Sequence, residues 1–242
     1  MVNIMAKSSH HTDELMQESL THKFIKRGSW LYIIALLTGP IGYAIKIIIS
    51  HDLSVGELGI LYGVLSFILL FGSLNDLGMV ESLNYFLPKY LGLGNHKKVK
   101  GYALYSLIAM AGTSVITSTL LYFGAGWLAD VYFHATAALL PEVTSVLQIF
   151  AIYLLFTNLQ HYLSTIAIVY QNTFLSKGLE LVRLTSSLGF AYTLMTTNTG
   201  SIVAYAQGWL FGTAIATLLG LIFIGTRYLL PLVRSAPLIV DK

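Results

Sequence analysis

The sequence predicts an all-α membrane protein: one bundle of six transmembrane helices, with both termini on the cytoplasmic side. Three observations predict it. From Arg183 to Arg227 there is not one charged side chain, and near the middle of that run sits the turn-like stretch Thr196 to Ser201. As a single helix the run would be roughly 65 Å long, about twice the hydrocarbon thickness, so it crosses, turns and crosses back. Four more uncharged runs lie between Arg27 and Lys46, Glu57 and Asp76, Lys100 and Asp130, and Glu142 and Lys177. Composition agrees: 55% of residues are hydrophobic and 10% charged, and the mean hydropathy is +0.72, whereas a soluble domain carries about 25% charge.

Orientation follows from Lys and Arg. Placing the N-terminus in the cytoplasm gathers all of the fourteen Lys and Arg but Lys46 on or near that side. The opposite loops, around 51–56, 128–142 and 198–201, hold Asp52, Asp130 and Glu142 and no Lys or Arg. The net charge of +3 therefore reflects topology, and no nucleic-acid partner is expected. The expected location is the plasma (inner) membrane.

The first 27 residues are polar and contain no cleavable signal peptide. Met16, Leu20 and Phe24 recur at helical spacing and would lie on the cytoplasmic membrane surface. Residues 1–27 are thus expected as an interfacial segment, 28–230 as the six-helix bundle and 231–242 as a cytoplasmic tail. Helix one is expected over 28–50, kinked at Gly39-Pro40. Helix two starts near 55 and continues past Asp76 toward Tyr90, longer than a bilayer needs. A basic loop, 94–100, follows. Helices three to six are expected over 102–127, 143–170, 181–195 and 202–225.

Polar residues inside these spans are the candidates for function. Helix four carries Thr157, Asn158, Gln160, His161, Ser164 and Thr165 near its centre. One reading is interhelical hydrogen bonding; the other is that Gln160 and His161 line a polar cavity. Lys46 lies near the outer end of helix one, where it either snorkels to the interface or faces inward to hold an anionic headgroup. Asp76 and Glu81, on helix two, either pair with the basic inner end, with Arg183 as one partner, or serve transport. On helix six Ala204, Gly208, Gly212, Ala216 and Gly220 recur at every fourth residue, a smooth stripe for close helix packing.

Enzymatic chemistry is not expected. The chain has no cysteine, which excludes disulfides and thiolate metal sites. Its seven histidines are scattered without metal-ligand spacing. Gly92-Leu93-Gly94 lacks the third glycine of a dinucleotide fingerprint, and neither a phosphate loop nor a GxSxG elbow occurs. No cofactor and no metal are expected.

Residues 41–50 (Ile-Gly-Tyr-Ala-Ile-Lys-Ile-Ile-Ile-Ser), 53–59 (Leu-Ser-Val-Gly-Glu-Leu-Gly), 74–83 (Leu-Asn-Asp-Leu-Gly-Met-Val-Glu-Ser-Leu) and 86–90 (Phe-Leu-Pro-Lys-Tyr) resemble the amino-terminal region of polysaccharide flippases. These O-antigen and capsule-repeat transporters belong to the multidrug/oligosaccharidyl-lipid/polysaccharide exporter superfamily. The matching positions are Lys46, Leu53, Glu57, Gly59, Asp76, Leu77 and Gly78, and the likeness is strongest over 28–92. It implies two six-helix bundles enclosing a central cavity that moves a polyprenyl-diphosphate-linked sugar outward, for lipopolysaccharide or capsule assembly at the cell envelope. Lys46 would then contact the headgroup, with Asp76, Gln160 and His161 as further cavity candidates. The expected partners are membrane lipid, the lipid-linked oligosaccharide and a second six-helix bundle, supplied by another copy or a separate chain; a truncated fragment is the other expectation. A cation-coupled multidrug antiporter of the same superfamily is the alternative, although helix one lacks an acidic residue deep in the membrane. A non-transporting membrane subunit is the third class.

Overall fold

The computed structural model describes residues 32–197 and 199–234, without the side chains of Leu74, Val233 and Arg234. The expected interfacial segment 1–27 and the tail beyond 234 lie outside the described residues. Within them all regular secondary structure is helical: α1 (Tyr32–Asp52), α2 (Val55–Asn75), α3 (Met79–Gly92), α4 (His96–Trp127), α5 (Leu140–Val169), α6 (Thr173–Thr197) and α7 (Ile202–Gly220). A π-helical turn, Leu128–Tyr132, extends α4, and a longer π segment, Leu221–Leu229, carries α7 into the short α8 (Leu230–Arg234).

The chain ends each helix with local chemistry. Between α1 and α2, Glu57 Oε2 accepts from the backbone N–H of Ser54 at 2.8 Å and from its hydroxyl at 2.7 Å, while Ser54 Oγ accepts from the Glu57 N–H. This is a capping box, which satisfies donors that the first turn leaves unpaired. Asn95 caps α4 by accepting from the Lys98 N–H. Asn172 caps α6, and Ser201 caps α7. Gly94, at φ +66°, supplies the left-handed residue that the α3–α4 elbow requires.

Among the described residues, five stretches are long and apolar enough to cross a bilayer: Tyr32–Asp52, Val55–Ser73, His96–Tyr132, Leu140–Val169 and Ile202–Leu232. The sixth expected crossing falls in α6. There Lys177, Glu180 and Arg183, followed by Thr185, Ser186, Ser187, Thr193, Thr196 and Thr197, leave the 25-residue helix less apolar than its neighbours.

The expectation of one continuous helix from 55 toward 90 is corrected by the fold. The chain breaks after Asn75, and α3 begins at Met79. Leu77 (φ +50°) and Gly78 (φ +72°) both take the left-handed conformation, which no α-helix accommodates. Since α2 is 21 residues long, it covers roughly 31 Å, one hydrocarbon thickness, before it breaks.

Helix α5 is the axis of the bundle, packing against α2, α3, α4, α6 and α7. The apolar core around it falls into two clusters. One gathers Leu61, Val64, Ile68, Phe150, Leu154 and Ala206; the other gathers Leu83, Leu87, Val99, Leu163, Ile166 and Ile224. Along α4 the residues between the clusters are Ser114 and Ser118, along α5 Asn158, and along α7 Thr213 and Thr217, all buried. A polar layer therefore crosses the middle of the bundle, which lipid-facing helices would not tolerate. At the other end of the first cluster, Tyr205 of α7 donates its hydroxyl to Asp52 at the end of α1, tying these two helices together.

Candidate functional site

The break between α2 and α3 is built from side chains. Ending α2 at Asn75 frees carbonyl groups, and starting α3 at Met79 frees N–H groups. Thr113 of α4 places its hydroxyl 3.1 Å from the Asn75 carbonyl oxygen. Asp76 accepts from the Val80 N–H through Oδ1 at 3.1 Å, and its carbonyl accepts from the Met79 N–H at 2.9 Å. Gly78 turns left-handed at no steric cost; Leu77 does so against its Cβ, with the side chain 65% exposed. The local sequence Asn-Asp-Leu-Gly thus makes a cap and a turn inside an otherwise helical run.

Behind the break three helices share one hydrogen-bond hub. Ser114 Oγ on α4 accepts from Asn75 Nδ2 at 3.0 Å and from Asn158 Nδ2 at 2.9 Å. Thr117 completes the set by donating to Asn75 Oδ1 at 3.1 Å. Asn75, Ser114 and Asn158 are all buried. Burying an amide without partners costs a few kcal/mol, so satisfied amides fix the geometry of α2, α4 and α5 relative to one another. Sequence reasoning named Asn158 but missed Asn75 and Ser114. The signal was the stripe Thr113, Ser114, Thr117 and Ser118, hydroxyls at helical spacing on one face of an apolar span.

In front of the hub lies a cavity of about 310 Å³ between α2, α3, α4 and α5. Asp76 and Glu81 line it from the break, Thr157, Asn158 and His161 from α5, and Leu69, Met110 and Tyr153 supply apolar wall. The Thr157 hydroxyl is buried and makes no hydrogen bond. No Lys or Arg lines the cavity among the described residues; Arg183 and Glu180 of α6 act on His161 only through their fields. A carboxylate pair and an imidazole without a basic counter-charge form a place for a cation or an exchangeable proton.

Of the residues singled out by sequence, Asp76 and His161 come together here. Gln160, one position along α5, is buried but does not line this cavity. Lys46 is exposed on α1, and the structure does not bring it to the other three. The expected ion pair from Asp76 or Glu81 to Arg183 does not form. Instead Asp76 caps α3, and the ion pair on α6 joins Lys177 to Glu180 at 2.8 Å.

The small-residue stripe of α7 faces α6 and α5. A Cβ added at Gly212 would overlap Ser187 Oγ and lie 2.8 Å from the Arg183 carbonyl oxygen. One at Gly208 would meet the Phe190 ring at 2.7 Å, and one at Gly220 would meet Leu179 and Leu163. Ala216 is fully buried in the same row, while Ala204 is half-buried.

No family model matches the chain. An uncharacterized membrane protein of Methanocaldococcus jannaschii is 22% identical over 134 residues, which is 55% of this chain and 26% of that protein. Among solved structures, a MATE in the straight conformation superposes with a TM-score of 0.70 at 16% identity, covering 84% of this chain and 45% of that one. The chain has the fold of one half of a MATE-type transporter. An inward-facing multidrug resistance MATE family transporter of the MOP superfamily agrees at a TM-score of 0.69 and 16% identity, over 82% of this chain and 46% of the other. A MOP superfamily transporter from Pyrococcus furiosus, reported with a binding pocket of reversed polarity, gives 0.67 at 18% identity, over 84% and 45%. This chain therefore spans about half the length of the solved transporters. It shares their fold, on a membrane protein of several apolar helices.

Proposed function

We propose that this chain is one lobe of a cation-coupled antiporter for small molecules, with Asp76 and His161 as the coupling site. The observation that carries the reading is the sign of the cavity: two carboxylates and an imidazole around a buried, unpartnered hydroxyl, without Lys or Arg among the described residues. A coupled exchanger needs a group that binds either the coupling cation or the substrate and releases one when it takes the other, and a half-buried carboxylate at a helix break is such a group. Asp76 stands in for the acidic residue that α1 lacks deep in the membrane. The MOP fold supports the reading, because half of it is a lobe that works against a second bundle. That second six-helix bundle is a second copy, a separate chain or a further stretch of a longer protein, and α6 completes the membrane bundle once its polar face is covered. The membrane is the plasma membrane, with both termini and the basic α3–α4 elbow in the cytoplasm.

Proteoliposomes of the assembled protein test this. An inward proton or sodium gradient is expected to drive efflux of a cationic dye, and Asp76→Asn or His161→Ala is expected to abolish the drive while leaving the protein folded. Dye movement independent of the gradient, or unaffected by Asp76→Asn, sinks the proposal.

One observation favours a second reading, export of a lipid-linked oligosaccharide. The sequence pattern over 28–92 resembles polysaccharide flippases, and Lys46 is exposed on α1, free to face a cavity between two lobes. Loss of surface polysaccharide on Lys46→Ala, at normal protein levels and with partial rescue by Lys46→Arg, would favour it.

A further inference from the structure

Met110 and Asn158 line a second hollow as well as the polar cavity. It lies between α4 and α5, measures about 160 Å³, and its remaining wall includes Leu107, Val115, Leu155 and Leu159. Its few polar groups are already engaged. Asn158 Nδ2 donates to Ser114 Oγ, and the Tyr162 hydroxyl donates to the Ala103 carbonyl at 2.9 Å. No charged side chain lines it. Both helices are apolar enough to span the bilayer, and the hollow sits near the middle of each. At its mouth Val115 is 54% accessible, and Ile108, next to the lining residue Leu107 on α4, is 70% accessible.

At that depth the surrounding solvent is hydrocarbon. An apolar hollow of about 150 Å³ already takes a molecule the size of benzene, so this one holds a comparable length of alkyl chain. We infer that the α4–α5 hollow binds a segment of a bilayer lipid's acyl chain. Charge complementarity selects that ligand: among the described residues no charged side chain lines the site, most of its wall is apolar, and the acyl chain carries neither charge nor polar group. The bound segment packs against Met110 and Asn158, the two residues that also wall the polar cavity. It therefore backs the hub that holds the helix break in place, and bilayer composition reaches the Asp76–His161 site through those two side chains.

The test uses the full protein in phosphatidylcholine vesicles doped with a phosphatidylcholine that carries a diazirine midway along one acyl chain. After illumination, carbene adducts are mapped by peptide mass spectrometry. Adducts are expected on the recessed Met110 and Leu159 as well as on the exposed Val115 at the rim and Ile108 beside it. Ala111→Phe puts a ring at the mouth, where Ala111 is exposed; it is expected to cut the Met110 and Leu159 adducts severalfold and spare Ile108. Adducts confined to the rim would overturn the inference, since the chain would then pass over the hollow. Absence of adducts from rim and hollow alike would also overturn it, because a protein surface would be covering both. If Ala111→Phe does not fold, the wild-type pattern alone decides.

Discussion

Ser114→Ala is expected to destabilise the bundle by far more than the loss of one small hydroxyl implies. Ser114 Oγ is the shared acceptor for Asn75 at 3.0 Å and Asn158 at 2.9 Å, so its removal strands two buried N–H groups on two other helices. Interhelical hydrogen bonds in membrane proteins average about 0.6 kcal/mol and reach about 1.7, because the separated helices find other partners. Two such bonds give about 1–3 kcal/mol, or roughly a tenfold to hundredfold change in the unfolding constant at 1.4 kcal/mol per decade. Asn75 keeps its bond from Thr117, which holds the expectation to the lower half of that range. The assay is equilibrium unfolding in mixed micelles, closed as a double-mutant cycle with Asn158→Ala. The hub predicts strong coupling in the cycle, since either substitution removes the same contact. The same variant is expected to speed hydrogen exchange over residues 75–82, where the break loses its anchor. A Ser114→Ala protein as stable as wild type, or a cycle that is additive, refutes the hub.

Three further expectations follow from the fold. Gly212→Val drives a branched side chain into the Arg183 carbonyl and Ser187, so it should cost about 1–3 kcal/mol, whereas Gly112→Ala, with open space around its Cβ, should stay within about 0.5 kcal/mol of wild type; thermal melts in detergent compare them. Leu77→Gly removes a Cβ from a left-handed position (φ +50°) on an exposed residue, and a rise of about 1 kcal/mol in stability is expected from the same melts. An Asn95→Cys variant, in a chain with no native cysteine, should react with an impermeant maleimide only after the cells are opened; reaction in intact cells reverses the topology.

The spans were legible because a bilayer forces a simple rule on sequence: about twenty uncharged residues between loops. That rule located α5 to within three residues at each end and the first residue of α7, whereas α4 begins six residues before its expected start at 102 and the helical run of α7 continues past its expected end at 225. It also concealed the break, because length and apolarity continue past Asn75 while the decision is made by Asp76 as a cap and Gly78 as a left-handed residue. Those two residue types are turn signals in any soluble loop. Asp76 and His161 stood out individually because charge inside an apolar run is costly. Their meeting was not legible, since it depends on how α5 packs against the broken α2–α3 unit. Asn75 and Ser114 escaped notice for a different reason: neutral polar residues are common in membrane helices, and only the three-helix geometry reveals that one hydroxyl serves two amides. Lys46 was conspicuous by charge, yet its position on the exposed face of α1 keeps it away from the cavity inside the lobe.

The Asp76–His161 cavity is proposed to exchange a proton for a cation. Purified protein in weakly buffered detergent solution, followed by a pH-sensitive dye, reads this directly when sodium or a small organic cation is added. Release of protons is expected to saturate with cation concentration, to disappear in Asp76→Asn and to be unchanged in Lys46→Ala. Proton release that persists in Asp76→Asn, or that vanishes with Lys46→Ala instead, would contradict it.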